Sequence, residues 1–105
     1  MSEFPFPYEP ALSANVMHRD DEAVASFVGA MCLKLAHRRH EGREGWEDRD
    51  QCSAEFLSQL LREHVEKGDP VEVANFAMML HQRGERIATA MQIAAWEDLE
   101  ANRHG

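Results

Sequence analysis

A chain of 105 residues with 44% apolar side chains is the size of one domain with one core, so a second domain is not expected. The formal charge of -8 argues against a nucleic-acid backbone as partner, because neutralising phosphates needs a basic surface. No run of about 18 apolar residues is present, and the start MSEFPFPYEP lacks the basic and apolar regions of a signal peptide. These features predict a cytoplasmic protein without a membrane partner, in which Cys32 and Cys52 stay free thiols.

Residues 1–19 hold three of the four prolines, interleaved with Phe4, Phe6 and Tyr8. Proline fixes φ and removes a backbone donor, so this stretch reads as an extended arm that packs on a partner subunit or on its own domain. The helical domain then occupies residues 20–105. Asp20, Asp21 and Glu22 favour a helix start, and Val24, Phe27, Val28, Met31 and Leu35 follow at helical spacing, giving a first helix over about 21–39. Ala25, Gly29, Ala30 and Ala36 keep part of its surface thin. Its end gathers Lys34, His37, Arg38, Arg39, His40 and Arg43, which either compensates the helix dipole or receives phosphate or an acidic surface. His37 and His40 have no second pair nearby in sequence to complete a zinc site, and read as surface residues.

The text EGREGWEDRDQC, residues 41–52, has no apolar period and reads as a loop. Its Trp46 either plugs the end of the core or stacks on a ligand. Ser53 is a candidate N-cap for a second helix ending at Lys67, with Phe56, Leu57, Leu60, Leu61 and Val65 as its apolar stripe. Gly68 stops it. Asp69, Pro70 and Glu72 then form the signature of a new helix start, and so short a corner makes the two helices antiparallel neighbours. The third helix, VEVANFAMMLHQR, is apolar nearly all round and should be the most buried. After Gly84, residues 85–101 read as a fourth helix or a continuation, with Ile87, Met91, Ala94, Ala95 and Leu99 on one side and Trp96 placed to meet another helix. The fold class predicted is all-α, a compact antiparallel bundle of three to four helices that self-associates as a dimer or larger oligomer.

Glu63, Glu66, Asp69 and Glu72 crowd the corner between the second and third helices. Carboxylates at i and i+3 on one helix, facing two more on an antiparallel neighbour, are a common way for a bundle to hold a divalent metal. Asp69 with Glu72 is equally explained as a capping box, which leaves a structural account open.

The run GW followed by acids, then LLREHVEKGDP, then VEVANFAMML, resembles the MazG-like all-α nucleotide pyrophosphohydrolases, including their short phage versions. The resemblance covers about residues 34–83. It implies a nucleoside triphosphate pyrophosphohydrolase in which magnesium is held by Glu63, Glu66 and Glu72, with Asn75 orienting them. It also implies that Lys34, Arg38 and Arg39 meet phosphates and that Trp46 stacks on the base. In this chain only Lys67 and Gly68 separate Glu66 from Asp69, whereas that family places several helical turns between its two acidic motifs. The compression favours a non-catalytic phage-type protein that sequesters a nucleotide ligand or binds a host protein, as an anti-defence function would require. A magnesium-dependent hydrolase is the alternative.

Overall fold

The computed structural model describes residues 18–104, and they form four helices with no strand among them: α1 (Arg19–His40), α2 (Ala54–Lys67), α3 (Pro70–Gln82) and α4 (Ala90–His104). The all-α expectation holds. The expected arm lies outside the described residues except for His18 and Arg19, and Arg19 is already helical. No described helix is long and apolar enough to cross a membrane.

The chain divides into two compact units, Met1–Ala30 and Met31–Gly105. In the first, the described residues are the start of α1, with Asp20, Asp21 and Glu22 in its first turn. Val24, Phe27 and Val28 are exposed here, and α1 has no fully buried side chain along its length. The first part of the apolar series thus keeps its helical period without burial, whereas Met31 and Leu35 further along are partly buried.

The second unit is organised by the α2–α3 hairpin. Ser53 caps α2 by accepting from the Phe56 amide at 3.1 Å. At its other end Gly68 adopts φ 75°, a left-handed conformation that a side chain would disfavour. The Asp69 amide then donates back to the His64 carbonyl at 3.0 Å, closing the turn. Asp69 in turn accepts from the Glu72 amide at 3.2 Å, and Pro70 occupies the first helical turn, where no amide is needed. Both ends of the corner are thus fixed by the residues the sequence placed there.

Leu57, Leu61, Phe76, Met79 and Leu80 form the core, and Leu35, Trp46, Leu60 and Met78 are among the residues packed against it. As expected, α3 is the most buried helix, contributing Glu72, Asn75, Phe76, Met79 and Leu80 to the interior. The α2 stripe differs from expectation at its ends. Phe56 and Val65 are exposed, and Ser58 is buried instead, because its hydroxyl accepts from the Ala88 amide at 2.8 Å.

Residues 85–89 are not helical. Gly84, at φ 69°, ends α3, and the chain continues without helix until Thr89 and Gln92 start α4. The Gln92 side chain accepts from the Thr89 amide at 2.8 Å, while the Thr89 hydroxyl accepts from the Gln92 amide at 3.0 Å. This reciprocal box separates α4 from α3. The predicted α4 face is also corrected: Ile87, Met91, Ala94, Ala95 and Leu99 are exposed. The Ala88 backbone is held on α2 by Ser58 and by Arg62 at 2.7 Å, and Ile93 is buried and Trp96 half-buried instead. Trp96 lies 6.3 Å from Phe56 between ring centroids.

Candidate ligand-binding cleft

The basic end of α1 does not remain a cluster of free charges. Arg38 is largely buried and donates from Nε to Glu72 at 3.1 Å, with its guanidinium 4.7 Å above the Phe76 ring. Lys34 reaches Asp69 at 3.6 Å. His37 and Arg43 both meet the exposed carboxylate of Glu41, whose pKa is lowered chiefly by the Arg43 hydrogen bond. Arg39 and Lys67 make no ion pair among the described residues.

Glu72 is equally committed. One carboxylate oxygen accepts from Arg38, and the other accepts from Asn75 Nδ2 at 3.3 Å. Asn75 is wholly buried and also points Nδ2 at the Met31 carbonyl, 3.4 Å away. The Asn75 amide therefore orients Glu72, but toward an arginine rather than toward other acids. Glu63 and Glu66 are exposed on α2, and the described residues contain no group of three His, Cys, Asp or Glu side chains placed to hold a metal ion. The expected magnesium carboxylates, Glu63, Glu66 and Glu72, are not grouped to hold a metal ion among the described residues.

The structure does bring together most of the expected ligand-contacting residues. A cavity of about 640 Å³ opens between the end of α1, the 41–52 segment and the hairpin. Arg38, Arg39 and Trp46 line it; Lys34 does not, being drawn to the corner by Asp69. Its floor is apolar, with Leu57, Leu60, Phe76 and Met79, and its rim adds Arg43 and Lys67. Glu44, Glu47 and Glu63 also reach it, so the rim is mixed in sign.

Lys67 and His64 were missed as candidates. Read as a helix-terminal lysine, Lys67 gave no signal of its own, but it stands one turn beyond Glu63 on the same face of α2. His64 is fixed by its own helix: Nδ1 lies 2.8 Å from the Leu60 carbonyl and the ring lies 5.2 Å from Phe76. Phe76 is thereby contacted by both the Arg38 guanidinium and the His64 ring.

Both cysteines are free, as expected. Cys52 lines the cavity, and burial pushes its thiol pKa up against the opposing influence of Arg83.

No protein-family model matches this chain, and no curated protein or solved structure matches it significantly. The MazG-like resemblance thus rests on the quoted residues alone.

Proposed function

We propose that this protein is a non-catalytic binder that sequesters a small anionic ligand with a planar ring, of which a nucleotide is the fitting class, in the cleft beside Trp46. One observation carries this reading: Arg39 and Lys67, without ion-pair partners among the described residues, border an apolar cavity that also holds Trp46. An aromatic face and an arginine suit a base and its phosphate, and a largely apolar cavity with few polar groups is the usual form of a small-molecule site. The commitment of Glu72 to Arg38 supports binding over turnover, since a catalytic magnesium would have to displace that pair. Withdrawal of a host nucleotide signal is the anti-defence form of this role. We place it in the cytoplasm, where such ligands are found, and as a self-associating protein whose exposed Met91 and Leu99 offer apolar surface to another copy.

The test is calorimetric titration with nucleoside triphosphates and cyclic nucleotides, with and without magnesium, with pyrophosphate assayed in the same samples. Heat without magnesium dependence and without product is expected. Magnesium-dependent pyrophosphate release would replace this reading with the hydrolase, and absence of heat throughout would replace it with a protein partner.

A further inference from the structure

Arg83 stands at the end of α3, and its side chain is 5% exposed although it carries a charge. Burying a guanidinium is unfavourable unless its donors are used. Nη1 donates to the carbonyl of Cys52 at 2.8 Å and to the carbonyl of Trp46, while the buried Nε and Nη2 have no hydrogen-bond partner among the described residues. Glu85 balances the charge, with Oε1 2.7 Å from Nη2. The same carboxylate meets Arg49 Nε at 3.1 Å through its other oxygen, and Arg49 donates to the Arg83 carbonyl at 2.8 Å. The 46–52 segment is thus tied to the end of α3 at its beginning, middle and end. That segment supplies Trp46 and Cys52 to the cavity, whereas Arg83 does not line it.

We infer that Arg83 is the positioning residue of the cleft, setting where Trp46 stands without touching the ligand. The inference rests on the ligand-binding reading for its functional consequence, but its structural half is separate. The planar guanidinium accommodates two carbonyls that converge on one nitrogen and an anion on another. A lysine keeps the charge opposite Glu85 but, as a compact ammonium on a flexible stem, does not hold that fork.

The experiment uses the full chain with Trp96→Phe, so that Trp46 is the sole tryptophan. Arg83→Lys is compared with Thr89→Ala, which destabilises at the α4 cap, away from the cleft. In Arg83→Lys, Trp46 emission shifts to the red, acrylamide quenches it more readily, and the Kd for ATP without magnesium rises about tenfold as stacking on Trp46 weakens. Thr89→Ala moves none of these. Unchanged emission and quenching in Arg83→Lys would overturn the inference, as would an equal change in Thr89→Ala. If Trp46 loosens in Arg83→Lys while the parent binds no nucleotide, the positioning of Trp46 stands and the ligand reading falls.

Discussion

Arg38 Nε and Glu72 Oε2 meet at 3.1 Å across the interface between α1 and the hairpin, both side chains largely withdrawn from water. This one contact joins a residue expected to hold phosphate to a residue expected to hold metal, so that each is already paired with the other. Phe76 beneath the guanidinium and Asn75 beside the carboxylate hold the pair in place.

Because the pair is buried, removing one partner is worse than removing both. Arg38→Met should cost about 3 kcal/mol by leaving Glu72 charged and uncompensated, whereas Arg38→Met with Glu72→Leu should recover most of that loss. Urea unfolding of the two single variants and the double variant measures it. Equal losses in the single and double variants would show that packing, not charge, sets the stability here.

Asp69 makes stability depend on acidity. The Glu72 amide donating to its carboxylate, with Lys34 nearby, holds its pKa below the usual value. A folded pKa below the unfolded one, about 3.9, means that the contribution is present above that value and is lost as pH falls through the folded pKa. Asp69→Asn keeps an oxygen for the cap but cannot titrate, so its stability should fall less between pH 5 and pH 2 than that of the parent. Urea midpoints across that range test it; parallel curves would exclude Asp69, leaving Glu41, whose pKa is also lowered, as a source of the slope.

The ends of the hairpin helices were legible because Ser53, Gly68, Asp69 and Pro70 each act locally, through caps and φ preferences that need no distant partner. The apolar character of α3 likewise announced the core. What could not be read was long-range: that Arg38 would find Glu72 34 residues away, and that Arg83 would clasp the carbonyls of Trp46 and Cys52. Ser58 was hidden for the same reason, since only the docking of Ala88 explains its burial. Three of the four expected ligand contacts reached one cavity because Arg38 and Arg39 are sequence neighbours and Trp46 follows within the same turn of chain.

The start of α4 was missed despite a local signal, TAMQ, a threonine with a glutamine three residues on. Thr89→Ala should therefore cost about 1 kcal/mol, and Thr89→Ser should cost much less because it keeps the accepting oxygen. Thermal unfolding followed by circular dichroism separates them. Equal losses in both variants would assign the effect to the threonine methyl group rather than the cap.

The rim charges of the cleft and the acids of the corner can be separated by substitution. Arg39 and Lys67 have no ion-pair partner among the described residues, so reversing them to Glu removes two cations from the cavity rim without orphaning a buried anion. Arg39→Glu with Lys67→Glu should weaken nucleotide binding at least about tenfold, with the unfolding midpoint nearly unchanged, since each charge-assisted contact contributes roughly 1.5 kcal/mol or more. Glu63→Gln, also on the rim, should leave affinity unchanged or slightly improved, because it takes a like charge away from an anionic ligand. Calorimetry at two salt concentrations reads both effects. Loss of binding in Glu63→Gln that depends on magnesium, together with indifference to the double reversal, would return the acidic corner to the centre of the chemistry.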